Sequence, residues 1–166
     1  MPAVTYFLGS NSPWTYLGHQ RFMTLAMRFE IDIVARPIDL PRVFRSSGGL
    51  PLAERPIQRR AYRLTELARF SRHLNIPLNP EPRHFPVSGD LAAKLLIATE
   101  RAHGVACAMN LLDRIGRACW WEQENIADGE TLERLAADAK LDGRALMCDA
   151  GTPEIEALFN SYTDEA

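Results

Sequence analysis

The segment YFLGSNSPWTYLG, Tyr6–Gly18, sets three small polar side chains, Ser10, Asn11 and Ser12, between an apolar run and a proline. Ser12 followed by Pro13 is a helix start. The serine oxygen accepts an early helical N–H, and the proline lacks an N–H where none is needed. Such a cap stabilises a helix by about 1 kcal/mol and needs no further role. The same place also suits chemistry. A βα turn at the carboxyl end of a parallel strand is where open α/β sheets place ligands. The bare N–H groups of the helix start favour an anion. A thiolate is such an anion; a free thiol titrates near about 8.5, and a helix N-terminus lowers that value. No cysteine stands in the turn, so the sulfur would come from a ligand. The residues alone allow both readings of Ser12.

Other side chains carry weaker signals. Between Arg42 and Arg83 stand nine arginines and three glutamates. They read as a solvated helix face or as a surface for carboxylates, which arginine binds bidentately. His19, His73, His84 and His103 have no metal-ligand spacing, so no metal is expected. Cys107, Cys119 and Cys148 form no Cys-x-x-Cys pair; their odd number and long spacing read as reduced, space-filling thiols of a cytoplasmic protein. Trp120 and Trp121 read as core of a helical region or as a wall beside an aromatic ligand. Asp39 and Asp128 read as caps rather than acids.

The elements that must position the turn follow from periodicity. Ala3 to Leu8 reads as a strand, Pro13 to about Phe29 as a helix, and Ile31 to Ala35 as a second strand. The helix connection lets the two strands lie parallel. Trp14, Gly18, Phe22, Leu25 and Phe29 recur at helical spacing and predict a buried stripe. PIDLPRVFRSSGGLPLAERP then reads as a loop with at most a short helical turn. From Pro56 onward only helices are expected. The first covers 56–74, with Ala61, Leu64, Leu67, Ala68 and Leu74 inward, and a proline-rich connection follows it. Helices then begin at Asp90, at Val105, at Asp128 or Thr131, and at Thr152.

The 166 residues are 46% apolar and 24% charged, enough for one domain or a small domain with a large insertion. A net charge of −2 gives no general attraction to nucleic acid or to a membrane surface, and neither partner is expected. The N-terminus lacks the basic region and long apolar core of a secretory signal, and no apolar run reaches membrane-spanning length.

YFLGSNSPWTYLG resembles a segment of the 2-hydroxychromene-2-carboxylate isomerases and the related kappa-class glutathione transferases, in which Ser-Pro-aromatic follows an aromatic strand end. RPIDLPRVF, AYRLTELARFSRHLNIPL, FPVSGDLAAK and CWWEQENIADGETL resemble later segments of that family, in the same order. The resemblance implies an α/β fold: a thioredoxin-like domain of the DsbA type with an inserted all-helical domain. Residues 1–40 would be the N-terminal βαβ part, 41–150 the helical insertion, and 151–166 a helix returning to the first domain.

The resemblance also implies a glutathione-dependent isomerase acting on a small aromatic acid of aromatic catabolism, cytoplasmic and homodimeric. Glutathione would be the cofactor, Ser12 the catalytic residue, and Ser12, Pro13 and Trp14 the cofactor contacts. Phe44, Arg45, Glu54, Arg55, His84 and Phe85 would line the substrate. Where the family carries a lysine for the acidic substrate, this chain has Phe44 beside Arg45; Gly49 or Glu54 and Ser88 stand where it carries asparagines. A kappa-type transferase and a non-catalytic binding protein are the competing expectations. Family members continue with further strands, one bearing a cis-proline. These are expected to be absent here, where the sequence ends at Ala166.

Overall fold

The computed structural model describes residues 2–166. Strand β1, Ala3–Leu8, is rich in the branched and aromatic residues that suit a pleated, half-buried surface. Strand β2 is Asp32–Pro37, and the two pair in parallel, from Ala3 opposite Asp32 to Leu8 opposite Pro37. Helix α1, Pro13–Arg28, connects them, so the chain begins as a βαβ unit. Along β1, Val4, Tyr6 and Leu8 turn toward the helices while Ala3, Thr5 and Phe7 are exposed.

The buried face of α1 is Tyr16, Leu17, His19 and Ala26, not the expected stripe. Trp14, Leu25 and Phe29 are 42%, 48% and 59% exposed, and of that stripe only Phe22 turns inward, against the Tyr6 ring at 4.3 Å between centroids. Both faces of α1 carry apolar residues at helical spacing, so periodicity alone could not choose between them. The choice is made by a later helix, α5 (Val105–Trp120). A Cβ at Gly116 would lie 2.9 Å from Tyr16 Cδ2, so the glycine admits the Tyr16 ring against the α5 backbone.

The stretch expected to be a loop with at most a short helical turn holds a two-turn helix, α2, Leu40–Ser47. The Asp39 carboxylate accepts Arg42 N–H at 3.0 Å, Pro41 occupies the first turn, and Gly48 ends the helix at φ 77°. A short 3-10 turn, Leu52–Glu54, precedes α3, Ile57–Leu74. Leu67 is fully buried on α3, with Leu64, Ala68 and Leu74 half-buried; Ala61, expected inward, is exposed because the first turns of α3 project beyond the core.

Helices α4 (Asp90–His103) and α5 form the centre of the core, with Leu95, Leu96, Leu111, Leu112 and Ile115 buried between them. Helix α6, Gly129–Asp138, starts on the Asp128 cap, and α8, Pro153–Glu165, on the Thr152 cap. Between them lies α7, Gly143–Ala150, which periodicity missed because it has only two turns; Asp142 caps it through Ala145 N–H at 3.0 Å. Helices α4 and α8 pack on β2, so one face of the small sheet is covered. The buried residues form one cluster, from Leu8 and Ala35 of the strands to Trp120, Leu132 and Phe159.

Cys119 is buried as a space-filling thiol should be, whereas Cys107 is half-buried and Cys148 exposed. Among the described residues no helix is long and apolar enough to cross a membrane, and no cluster of His, Cys, Asp or Glu has the shape of a metal site.

Candidate functional site

The turn between β1 and α1 is built from backbone first. Ser12 N–H donates to the Gly9 carbonyl at 3.0 Å, closing a tight turn. Ser12 is extended, at φ −82° and ψ 127°, and its carbonyl accepts Tyr16 N–H at 3.1 Å. Its side chain therefore lies beside the first helical N–H groups. Ser12 Oγ accepts Thr15 N–H at a long 3.4 Å. The hydroxyl itself donates to no acceptor among the described residues, and Trp14 N–H is likewise unpaired. Ser12 is buried, at 9% exposed.

The other two polar residues of the turn are consumed. Ser10 Oγ donates to the Gly89 carbonyl at 2.6 Å, and Asn11 Nδ2 donates to the Val87 carbonyl at 2.8 Å. These bonds lock the turn to the segment before α4, where the Phe85–Pro86 peptide is cis. Leu40, the first residue of α2, lies near Gly9, within 3.3 Å of where a Cβ would stand. Loop, α2 and α4 thus meet at the start of α1.

Of the expected cofactor contacts, Pro13 is buried in the first turn and Trp14 stands out from it, edge-on to Phe70 of α3 at 5.7 Å. The expected substrate residues divide. Phe44 and Arg55 meet, with the guanidinium 5.4 Å from the ring centroid, and Arg55 Nε donates to the Leu50 carbonyl at 2.8 Å. Phe85 lies against Trp120 at 4.7 Å between centroids, and Trp120 is fully buried in the core. The side chains of Arg45, Glu54 and His84 are exposed and make no hydrogen bond or ion pair with any described residue. Arg63 is a residue that sequence reasoning left among the basic stretch: its guanidinium lies 5.2 Å from the Phe85 centroid and 5.7 Å from that of Trp120. Only the three-dimensional meeting of α3, the 85–89 segment and α5 singles it out.

A cavity of about 570 Å³ opens elsewhere, along α5 and α6, and none of its lining residues belongs to the turn. Its charges pair locally: Arg117 with Glu122, and Arg134 with Glu124 and Asp138.

An anionic sulfur fits the turn chemically. The Ser12 hydroxyl has a proton to offer, the Trp14 N–H is free, and no carboxylate stands in the turn to compete. The groups present therefore suit an anionic atom such as the sulfur of a thiol ligand, which the Ser12 hydroxyl and the Trp14 N–H would hold.

Comparison with solved structures places this arrangement among known folds. A 2-hydroxychromene-2-carboxylate isomerase (HCCA isomerase) superposes with a TM-score of 0.79 at 19% identity, covering 99% of this chain and 78% of that one. The cytosolic disulfide reductase DsbM from Pseudomonas aeruginosa superposes with a TM-score of 0.67 at 18% identity, covering 96% and 76%. Its structure with GSH gives 0.68 at 17% identity, covering 96% and 77%. At these identities the likeness is one of fold. No curated protein sequence matches the chain. The model of the DSBA-like thioredoxin domain matches residues 3–166. With its βαβ start, its capped turn and its helical remainder, this chain belongs to the DSBA-like thioredoxin domain family.

Proposed function

We propose that the protein is a glutathione-dependent isomerase that moves an unsaturated aromatic acid between cis and trans forms, similar in reaction to the 2-hydroxychromene-2-carboxylate isomerases. The observation that carries this reading is the Ser12 hydroxyl: it sits at the first turn of α1 with no acceptor for its proton among the described residues. A hydroxyl so placed donates to an anion, and the adjoining helix start adds partial positive charge. Glutathione, when bound, would supply a nucleophilic thiolate for a reaction whose net change is geometric and needs no oxidant, and Ser12 and Trp14 N–H are the groups that would hold its sulfur. Ser12 holds the sulfur in its charged form, and Trp14 N–H shares that charge. Ser10 and Asn11 keep the turn rigid through Gly89 and Val87. A dithiol redox reaction is not supported, because the turn carries no cysteine; Cys107, Cys119 and Cys148 lie on α5 and α7.

The test is isomerisation of 2-hydroxychromene-2-carboxylate by the purified protein, with and without glutathione, in the wild type and in Ser12→Ala. Turnover should require glutathione and fall by about 10²–10³ in the variant, the usual cost of losing one donor to a developing anion. Glutathione-independent turnover, or full activity in Ser12→Ala, would overturn the reading.

A further inference from the structure

Arg63 lacks the partner that a half-buried guanidinium normally has. It makes no hydrogen bond or ion pair with any described residue, although carboxylates engage Arg36, Arg42, Arg101, Arg117 and Arg134 elsewhere. Its surroundings are aromatic: Phe85 and Trp120 lie within cation–π distance. Burial, and after it the charge of Arg55, disfavour its protonated form. Trp120 adds a second orphan, since its Nε1–H is buried without an acceptor. A half-buried guanidinium stacked on aromatic rings, with no carboxylate of its own, is an arrangement that the carboxylate of a flat aromatic anion would complete.

The cluster is also close to the turn. Phe85 stands two residues before Val87, about 7 Å along an extended chain, and the Val87 carbonyl is bonded to Asn11. We propose that Arg63, stacked on Phe85 and Trp120, is the subsite that receives the carboxylate of a planar aromatic acid brought to the Ser12 turn. The proposal rests on the isomerase reading only for the place where the acid reacts; the recognition of its charge rests on Arg63 and its neighbours. Arginine suits the role because its planar fork both stacks on rings and bonds a carboxylate through two N–H groups.

The test uses trans-cinnamate, its neutral amide, and glutathione as separate calorimetric titrants of the full chain. Wild type should bind cinnamate about tenfold or more tightly than cinnamamide, the strength expected of a charge-assisted pair. In Arg63→Gln that preference should collapse while glutathione affinity stays unchanged. Arg55→Gln should weaken the preference in the same direction, and it keeps the test decisive should Arg63→Gln fail to fold. Equal binding of acid and amide by wild type, or a preference that survives in both variants, overturns the proposal. A loss of glutathione affinity in Arg63→Gln overturns it too, by giving the guanidinium to a peptide carboxylate. A wild type that prefers cinnamate but binds no glutathione would leave the Arg63 subsite standing and remove the isomerase reading.

Discussion

Ser10 Oγ donates to the Gly89 carbonyl at 2.6 Å, joining the end of the first strand to the start of α4. Ser10 is 3% exposed and Gly89 is buried, so the bond is shielded from water on both sides. With the parallel bond from Asn11 to Val87, it fixes where Ser12 and α1 begin. The polar turn thus divides its labour: two side chains hold the chain, and the third keeps its hydroxyl proton free.

Gly89→Ala should disturb the turn from a distance. The backbone there is ordinary, at φ −98°, so an alanine meets no conformational penalty. Its Cβ would instead overlap Ser10 Oγ and crowd Asn11 Cγ at 3.1 Å. The expected cost is about 1–3 kcal/mol in urea unfolding. Ser10→Ala removes the clashing oxygen, so the double variant should cost less than the sum of the two single ones. Strict additivity would show that the two residues do not act as one contact.

Ser12→Ala should separate stability from chemistry. The cap bond to Thr15 N–H is long, at 3.4 Å, so the loss of stability should be about 1 kcal/mol or less. Glutathione binding near neutral pH, followed by calorimetry, should weaken in the same variant. A large loss of stability with unchanged glutathione binding would make Ser12 a cap and nothing more.

How far the chain could be read in advance depended on the kind of signal. The βαβ start, the Asp128 and Thr152 caps and the long helices were legible because each rests on a local pattern. The inward face of α1 was not, since Tyr16 is chosen by Gly116, a hundred residues later. Nor were α2 and α7 legible as helices: each has only two turns, and much of each one's definition comes from an aspartate cap. At the site, Ser12 and Phe85 stood out by motif, whereas the stacking of Arg55 on Phe44 had no signal in the sequence. Arg63 looked like one of nine arginines, because its isolation from carboxylates exists only in three dimensions.

His19 should make stability depend on pH. It is 3% exposed, stacks on Tyr6 at 6.1 Å, faces the Met109 carbonyl through Nε2, and leaves Nδ1 without a partner. Burial holds its pKa below the ordinary 6.5, against the opposing pull of the Met109 carbonyl and Asp113. The unfolded chain then binds the proton more readily than the folded one. Stability from this group is full above pH 6.5 and is lost as pH falls below it, toward the lower folded value. The urea midpoint should drop on acidification through that window, and His19→Gln should flatten the drop. An unchanged slope in the variant would assign the pH dependence to other groups.

The thiols should differ in reactivity by their surroundings, and none should report on the turn. Cys148 is exposed near the end of α7 and should react first with a disulfide reagent in native protein. Cys119 is 2% exposed, and burial pushes its pKa up to about 12, so it holds almost no thiolate near neutral pH. It should react only when urea unfolds the chain, at a rate set by unfolding. Cys107, half-buried on α5, should fall between them. Because the expected catalytic sulfur belongs to a ligand, a Cys148→Ser variant and a chain blocked at Cys148 should both keep glutathione-dependent turnover. If blocking Cys148 abolished turnover while the far-ultraviolet dichroism stayed native, the sulfur would belong to the protein, and the role given to Ser12 would have to be withdrawn.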